Sequence, residues 1–414
     1  MIKEAIILAG GLGTRLRDTV PDVPKCMAPI NGVPFLFYVI NYLRSQGIEK
    51  FIFSIGYKHE VITEYLEKEF PTLNYSTVVE EAPMGTGGAI KLAINIAIDR
   101  HVVIVNGDTL FKGDLRAAAA AHYDKNAECT MLIKPMKDFD RYGTVITDAE
   151  NRVIGFAEKK FIQEGNINAG MYLINAGNFR SEKFPAKFSF EKDYLEAMFA
   201  DRRFFGLVMD NYFIDIGVPE DYARVQAELS QPPFDLKAID NSWTIFIDRD
   251  GVINHEKKDD YIRNWREFVF YDGVREVFPA LNKKFGKVII VSNQRGVGRE
   301  LMTETELAGI HRHMEKQITG SNGKIDGIYY CTSTDTKHPE RKPNPGMAFR
   351  SLEDFPAIDL SRSVMIGNKL SDMKFGRNAG MYTIFIATTH PETSFPHPDI
   401  DARFNSLPDF VKAL

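Results

Sequence analysis

The chain has 414 residues, a formal net charge of -5 and 26% charged side chains. That length exceeds one ordinary hydrophobic core, so two domains are expected. The charge balance gives no electrostatic case for nucleic acid or an anionic membrane as a partner, and no apolar run is long enough to span a bilayer or to serve as a signal region. The three cysteines are scattered and form no disulfide framework, so we expect a cytoplasmic protein.

The chain opens with an apolar run that breaks into a glycine-rich turn. Residues 5–9, AIILA, have the length and continuous apolarity of a strand buried on both faces of a parallel sheet. Gly10, Gly11 and Gly13 allow a sharp turn whose backbone N–H groups can hold phosphate oxygens. Arg15 adds a cation where a triphosphate would carry its charge. Taken alone, the pattern also fits a plain connection between a strand and a helix.

Strand-like and helix-like stretches then alternate as far as residue 108. We predict helices over residues 35–46, 61–70 and 89–98, and strands over residues 50–55 and 101–105. This alternation indicates a doubly wound α/β sheet, whose ligands bind at the carboxyl ends of the strands. Asp108 follows the last of these strands and therefore belongs to that edge.

Shorter strands follow from residue 129, with a hairpin turn predicted near residues 148–151. Asp215 brings a second carboxylate, and a helix over residues 219–229 closes a first domain, residues 1–229. Residues 230–241, with a Pro-Pro pair among polar residues, have the composition of a linker.

The remaining residues, 242–414, predict a second α/β domain with its own set of polar strand ends. A short apolar strand over residues 244–247 ends at Asp248 and Asp250. Strands over residues 287–291 and 363–366 end at Ser292 and at Asn368. These side chains are expected to meet at one edge of a parallel sheet.

Four motifs in this second domain follow the order of the haloacid-dehalogenase-like phosphatases, and the domain resembles that family, most closely its heptose bisphosphate phosphatase group. The motifs are DRDGVIN at 248–254, SNQ at 292–294, RKPNPGM at 341–347 and GNKLSD at 367–372. The resemblance implies a Rossmannoid fold. Roughly forty residues separate Asp250 from Ser292, too few for a large cap beside a loop and a helix, so we expect a capless domain.

The same resemblance implies the residue roles. Asp248 would form an aspartyl-phosphate, and Asp250 would act as general acid and then as base. The phosphoryl group would be held by Ser292, Asn293 and Lys342, and Mg²⁺ by Asp248, Asp250 and Asn368. Independently of the resemblance, Arg295 and Arg299 could hold a second anionic group, although exposed arginines are more often simply solvated.

Two departures from the phosphatase pattern stand out. Position 368 is usually Asp in the family, and Asn368 offers a carbonyl oxygen to Mg²⁺ without a charge. The related phosphatases also carry a zinc loop of cysteines and a histidine. This chain keeps only Cys331 and His338 there, and two ligands do not make a structural zinc site, so no zinc is expected.

The first domain resembles the sugar-1-phosphate nucleotidyltransferases, most closely the group that guanylylates D-glycero-α-D-manno-heptose 1-phosphate. The resemblance rests on LAGGLGTRL at 8–16, MGTGGAI at 84–90, NGD at 106–108, FDRYGTV at 139–145, KFSFEKD at 187–193 and NYFIDIGVPEDY at 211–222. It implies a Rossmann-like fold with a mixed sheet and a reaction between two anions, a sugar phosphate and a nucleoside triphosphate, with pyrophosphate leaving.

The roles that this resemblance implies fall into three groups. Arg15 and Lys25 would be catalytic by steadying the triphosphate, and Asp108 and Asp215 would hold Mg²⁺. The nucleotide would lie against Leu8, Ala9, Gly10, Gly11, Gly13, Gly85, Thr86 and Gly87, with the loop at 85–88 letting the base approach the main chain. The sugar phosphate would contact Asp108, Glu158, Lys159 and Asn168.

Together the two resemblances imply consecutive steps: removal of the 7-phosphate of heptose 1,7-bisphosphate, then transfer of GMP from GTP to heptose 1-phosphate to give GDP-heptose, a donor for surface glycans. Two alternatives remain open at this point. Another sugar 1-phosphate or another base could be the substrate of the first domain. The second domain could instead be a non-catalytic phosphosugar-binding module that has lost activity at Asn368. The sequence does not indicate the oligomeric state.

Overall fold

A computed structural model describes residues 2–11, 16, 20–229, 234–257 and 260–414. The chain divides into two units, Met1–Ser230 and Gln231–Leu414. Within the described residues, no helix is both long enough and apolar enough to cross a membrane. Each unit has its own buried core.

The first unit alternates strands and helices before it turns to longer antiparallel strands. Its strands are β1 (Glu4–Ala9), β2 (Pro29–Ile30), β3 (Val33–Pro34), β4 (Lys50–Ile55), β5 (Tyr75–Val79), β6 (His101–Asn106), β7 (Thr109–Phe111), β8 (Cys129–Phe139), β9 (Thr144–Thr147), β10 (Val153–Ala157), β11 (Ile162–Asn175), β12 (Phe204–Val208) and β13 (Phe213–Asp215). Its helices are α1 (Phe35–Ser45), α2 (His59–Glu69), α3 (Gly85–Ile94), α4 (Leu115–Asp124), α5 (Ala176–Ser181) and α6 (Pro219–Glu228), with a 3₁₀ turn at Lys25–Met27 and a π-helical segment at Phe190–Glu196.

The main sheet of this unit is mixed. Its order is β10-β9-β11-β6-β1-β4-β5, and β8 pairs with both β11 and β12. Strand β1 lies between β6 and β4, parallel to both, while β11 runs antiparallel to β6. A separate ribbon of β7 and β13 brings Asp215 opposite Thr109, next to Asp108. The carboxyl ends of β1, β6 and β13 therefore lie close together, as expected for a ligand site in an α/β sheet.

The structure corrects the predicted helix over residues 89–98. Helix α3 runs instead from Gly85 to Ile94, so the glycines expected to form a loop make its first turn. The segment at 186–188 explains why glycine stands there. A Cβ on Gly87 would come within 2.2 Å of the Phe188 ring, and one on Gly88 within 2.4 Å of the Ala186 carbonyl oxygen. The absence of side chains at these glycines lets residues 186–188 pack against the first turn of α3. Local helix propensity alone cannot indicate such a tertiary contact.

The second unit is built on a parallel sheet. Its strands are β14 (Thr244–Ile247), β15 (Lys287–Asn293), β16 (Gly327–Cys331), β17 (Ser363–Gly367), β18 (Tyr382–Ile386) and β19 (Ala402–Phe404). Its helices are α7 (Val274–Lys284), α8 (Arg295–Gly298), α9 (Glu304–Gly320), α10 (Gly346–Asp354), α11 (Leu370–Ala379) and α12 (Leu407–Ala413), with 3₁₀ turns at Leu236–Ala238 and Leu360–Arg362. The order β16-β15-β14-β17-β18-β19 confirms the predicted α/β class and places β14 between β15 and β17.

Two further segments bear on the predicted organisation. Part of the segment predicted as a linker packs against the second unit: Ile239 is buried in its core, and the Phe234 ring lies 5.1 Å from that of Tyr382. Between β14 and β15, helix α7 is the sole helix among the described residues. That the domain has no cap stays a prediction.

Candidate active sites

The first candidate site is a cavity of about 640 Å³ at the carboxyl edge of the first unit's sheet. The end of β1 and the turn after it form one wall, and the first turn of α3 forms another. The 3₁₀ turn at Lys25 and the ends of β6 and β13 complete it. Among the lining residues are the predicted Leu8, Ala9, Gly10, Gly11, Lys25, Gly85, Thr86, Asp108, Lys159 and Asp215.

Lys25 links the two predicted metal-binding carboxylates. Its Nζ lies 2.5 Å from Asp108 Oδ2 and 3.3 Å from Asp215 Oδ1. Burial alone would lower the pKa of Lys25, but the two carboxylates raise it, so the ammonium stays charged. Burial and the nearby Asp108 raise the pKa of Asp215, despite the opposing effect of Lys25. The site therefore concentrates two carboxylates around one cation, an arrangement that a divalent ion would stabilise further.

Glu80, which no motif in the sequence indicates, also lines this cavity. It follows β5, and its backbone N–H donates to the carbonyl of Ile55. A Cβ on Gly10 would lie 2.2 Å from Glu80 Oε1, so the carboxylate lies against the glycine-rich turn. Burial raises the pKa of Glu80 above its ordinary value. This carboxylate can accept hydrogen bonds from a ligand bound between the turn and α3.

Other predicted residues of this unit lie outside the set that lines the cavity. Gly87 is buried in α3, and Glu158 is exposed after β10. The amide of Asn168 is used within β11: its Nδ2 donates to Tyr172 Oη at 2.8 Å, and its Oδ1 accepts from the Gly170 backbone at 3.0 Å. These bonds span a register shift in the pairing with β8. Gly13 and Arg15 lie outside the described residues.

The second candidate site lies at the ends of β14, β15 and β17 in the second unit. Lys342 Nζ lies 2.8 Å from Asp248 Oδ1, 2.7 Å from Asp372 Oδ1 and 3.1 Å from the carbonyl oxygen of Val291. Burial raises the pKa of Asp248 to about 7, with Asp372 and Asp250 adding to the effect and Lys342 opposing it. Asp248 therefore takes up a proton more readily here than in water, despite its ion pair with Lys342.

Asp250 is held differently from Asp248. Arg249 Nη2 donates to Asp250 Oδ1 and Oδ2 at 3.0 and 2.8 Å, Gln294 Nε2 donates to Oδ2 at 2.9 Å, and Asn254 Nδ2 donates to Oδ1 at 2.9 Å. Burial alone would raise the pKa of Asp250, but Arg249 and the two amide donors hold it below the ordinary value. Two neighbouring carboxyls thus have pKa values shifted in opposite directions, a feature of sites that use one acid and one base.

The buried guanidinium of Arg249 has a further partner. Its Nη1 lies 3.2 Å from His311 Nε2, and its Nη2 donates to Gln294 Oε1 at 3.1 Å. Burial and the charge of Arg249 lower the pKa of His311 to about 3, so the imidazole is neutral and accepts the hydrogen bond. Neither His311 nor the contacts of Gln294 were indicated by the sequence.

The three residues predicted to bind the phosphoryl group lie close together, but their side chains make different contacts. Ser292 is buried, and its Oγ accepts from Gln294 Nε2 at 2.7 Å. The side chain of Asn293 makes two hydrogen bonds to the backbone of Lys342. Its Nδ2 donates to the Lys342 carbonyl at 3.1 Å, and its Oδ1 accepts from the Lys342 N–H at 3.0 Å. The Asn293 side chain thus fixes the backbone of the lysine, and Lys342 carries the charge.

Asn368, at the end of β17, is fully buried beside the turn at residues 248–251. A Cβ on Gly251, which has φ +91°, would lie 2.1 Å from Asn368 Nδ2, so only glycine allows this approach. Nδ2 donates to Thr389 Oγ1 at 2.6 Å, whereas Oδ1 has no hydrogen-bond partner among the described residues. A buried carbonyl oxygen without a hydrogen-bond partner lowers the stability of the fold unless a ligand binds it. Such an oxygen is a suitable ligand for a hard cation such as Mg²⁺.

Three arginines of the second unit, Arg295, Arg299 and Arg341, form an arginine cluster defined by their electrostatic interaction. Burial and the positive charges of Arg295 and Arg299 lower the pKa of Arg341. The Nε of Arg295 is buried without a partner among the described residues. Such an excess of positive charge fits an anionic group of a ligand.

The segment that corresponds to the zinc loop of related phosphatases has its own contacts. Cys331 Sγ lies 3.5 Å from His338 Nδ1, and no cluster of three or more His, Cys, Asp or Glu side chains suited to a metal occurs in the described part of the chain. Arg350 Nη1 lies 2.8 Å from Glu340 Oε1, and Asn344 Nδ2 donates to the His338 carbonyl. Hydrogen bonds and an ion pair therefore hold this loop.

Comparison with known proteins assigns the two units separately. The nucleotidyl transferase family model matches residues 4–231, and the HAD-hydrolase-like model matches residues 340–407. The chain is 50% identical over 226 residues to a D-glycero-α-D-manno-heptose 1-phosphate guanylyltransferase of Aneurinibacillus thermoaerophilus, covering 55% of this chain and 98% of the relative. It is 32% identical over 175 residues to a D-glycero-α-D-manno-heptose-1,7-bisphosphate 7-phosphatase of Mycobacterium bovis, covering 42% of this chain and 92% of that relative.

A solved structure supports the first assignment. The crystal structure of HddC from Yersinia pseudotuberculosis, complexed with GMP-PN, is 34% identical and superimposes with a TM-score of 0.51. The match covers 55% of this chain and all of the HddC chain. The cavity described above therefore lies in a unit whose relative has been solved with a guanine nucleotide.

Proposed function

Because the chain belongs to the nucleotidyl transferase family in its first unit and to the HAD-like hydrolases in its second, we propose that it is a bifunctional enzyme of nucleotide-activated heptose synthesis. The second unit would remove the 7-phosphate of D-glycero-D-manno-heptose 1,7-bisphosphate, and the first would transfer GMP from GTP to the resulting heptose 1-phosphate. One observation carries the proposal: the chain covers nearly the full length of two separate relatives whose names describe these consecutive steps.

In the first unit, an oxygen of heptose 1-phosphate attacks the α-phosphorus of GTP, and the bond to pyrophosphate breaks. The backbone at Gly10 and Gly11 lines the cavity and supports the phosphates. Lys159, which also lines it, is an exposed cation suited to the sugar phosphate. Lys25, paired with Asp108 and Asp215, places a positive charge in the cavity beside the phosphates and limits the repulsion between anions.

In the second unit, Asp248 attacks the phosphorus of the 7-phosphate, and the sugar oxygen leaves. Lys342 neutralises the nucleophile and the incoming phosphoryl group. Asp250 passes to the leaving oxygen a proton taken up on substrate binding, and then accepts a proton from the water that hydrolyses the aspartyl-phosphate. The lowered pKa of Asp250 keeps the carboxylate ionised at neutral pH, as the second of these roles requires.

Mg²⁺ fits both sites by the chemistry of their donors. Asp108 and Asp215 would hold it in the first unit, and Asp248, Asp250 and the unsatisfied Oδ1 of Asn368 in the second. When bound, the ion would offset the negative charge of the phosphates and of the transition state.

The arginine cluster supports a bisphosphate as the phosphatase substrate. A sugar with one phosphate at the reacting end and another at C1 presents an anion well away from the nucleophile. Arg295, Arg299 and Arg341 supply the positive charge for that second group. A monophosphate would leave this charge uncompensated and bind more weakly.

Glu80 provides a basis for choosing guanine. A carboxylate accepts from both N1–H and the 2-amino group of guanine, whereas adenine presents an acceptor at N1. We expect Glu80→Gln to reduce the preference for GTP over ATP by about 10- to 100-fold, since an amide supplies only one acceptor. The measurement is kcat/KM for pyrophosphate release with each nucleotide. Glu81→Gln, at the neighbouring exposed position, is the control, and an unchanged ratio in Glu80→Gln would remove Glu80 from base recognition.

Asn368→Asp separates an active phosphatase from a degraded one. Because the natural amide already offers an oxygen, the added charge is expected to lower the Mg²⁺ concentration for half-maximal phosphate release by about tenfold, with little change at saturation. The Mg²⁺ dependence of guanylyl transfer by the same variant is the control. Turnover that rises many-fold from almost nothing would instead favour the non-catalytic module.

The proposed function is tested with the purified chain, Mg²⁺, GTP and heptose 1,7-bisphosphate, following phosphate, pyrophosphate and the nucleotide sugar separately. Release of both phosphate and pyrophosphate with GDP-heptose formed is expected. Pyrophosphate release that requires added heptose 1-phosphate would refute the phosphatase role. Equal use of other nucleotides or of hexose 1-phosphates would refute the substrate assignment.

A further inference from the structure

His311 lies on α9, outside the four phosphatase motifs. It contacts Arg249, which in turn donates hydrogen bonds to Asp250. We propose that His311 is a positioning residue of the phosphatase reaction, which holds the Arg249 guanidinium and through it orients the carboxylate of Asp250. The inference rests on the proposed phosphatase function and concerns the hydrolysis of the aspartyl-phosphate.

Arg249 is enclosed by the protein. Its side chain is 0% exposed, so each of its N–H groups needs a partner within the protein. Asp250 and Gln294 accept hydrogen bonds from the Nε and Nη2 groups of Arg249. Nη1 is left facing His311 Nε2 at 3.2 Å. The histidine therefore satisfies the end of the guanidinium that points away from the reacting carboxylate.

The histidine is itself held in place by packing. His311 is 6% exposed, lies in the middle of the 17-residue helix α9, and its ring packs 5.3 Å from that of Tyr330 on β16. The Phe268 ring lies 5.9 Å from Arg249 Cζ on another side. Residues from several elements thus hold Arg249 in place. Its planar guanidinium group donates to both oxygens of Asp250 and so orients the plane of that carboxylate.

The orientation of the Asp250 carboxylate matters when the aspartyl-phosphate is hydrolysed. During hydrolysis, a water oxygen forms a bond to the phosphorus as the bond from phosphorus to Asp248 oxygen breaks. The water proton passes to Asp250, and phosphate leaves with Asp248 restored as a carboxylate. A tilted Asp250 would receive that proton poorly, so the phosphorylated form of Asp248 would last longer.

The test measures that lifetime in the full chain. We expect His311→Leu, which removes the acceptor at similar volume, to slow steady-state phosphate release about tenfold and to raise the fraction of chain trapped with phosphorylated Asp248 after acid quenching. His311→Gln keeps an acceptor and is expected to restore both quantities. His313→Leu, on the same helix but stacked on Trp265, is the matched control.

Each outcome is decisive. A slower His311→Leu enzyme with no increase in the phosphorylated fraction would show a structural role only and overturn the inference, as would wild-type behaviour. Both tryptophans, Trp243 and Trp265, lie in the second unit, so their fluorescence reports whether that unit has folded. If the leucine variant does not fold, Arg249→Lys replaces it, with the same accumulation expected. A wild-type chain that releases no phosphate would refute the proposed function itself.

Discussion

Asp248→Asn is expected to reduce phosphate release from heptose 1,7-bisphosphate by at least ~10⁴-fold, because it removes the nucleophile. The amide has the size of the carboxylate, and Lys342 keeps its contacts with Asp372 and the Val291 carbonyl, so the fold should persist. The measurement is the initial rate of phosphate release at saturating Mg²⁺, together with a search for phosphorylated enzyme by mass spectrometry.

The same preparation contains its own control. Guanylyl transfer to heptose 1-phosphate, supplied directly, should be unchanged because the first unit has a separate set of residues. Asp240→Asn, an exposed position of the second unit, is the matched substitution. Phosphate release by Asp248→Asn above about 1% of wild type would rule out Asp248 as the nucleophile.

Much of both sites was predictable because parallel strands gather their carboxyl ends at one edge of a sheet. Asp108 after β6 and Asp248 after β14 each follow an apolar strand that is recognisable in the sequence. Asn368 after β17 follows the same rule. Such residues can be placed by a local pattern, without knowing which elements pack together.

Other residues depend on tertiary contacts that no local pattern carries. Glu80 becomes part of the cavity only because β5 pairs with β4 and brings it against Gly10. His311 lies on the buried face of α9, where a histidine in the sequence looks like any other core position. The amide of Asn293 was predicted to bind a phosphoryl group, and in the structure it holds the backbone of Lys342.

Asp215→Asn addresses the first unit and should lower guanylyl transfer at least ~10³-fold, about 4 kcal/mol in the barrier. Asp215 is one of two carboxylates that share Lys25, and burial with Asp108 nearby raises its pKa. Loss of its charge removes half of the negative charge available to Mg²⁺ and leaves Lys25 paired with Asp108 alone.

The cause can be separated from a general loss of structure by titrating Mg²⁺. If Asp215 holds the ion, the variant should need much more Mg²⁺ for its residual activity, while phosphate release by the second unit stays at the wild-type rate. Asp210→Asn is the control, since that carboxylate is exposed and paired with Lys134. A variant within about threefold of wild type at every Mg²⁺ concentration would show that Asp215 supports Lys25 electrostatically without binding the metal.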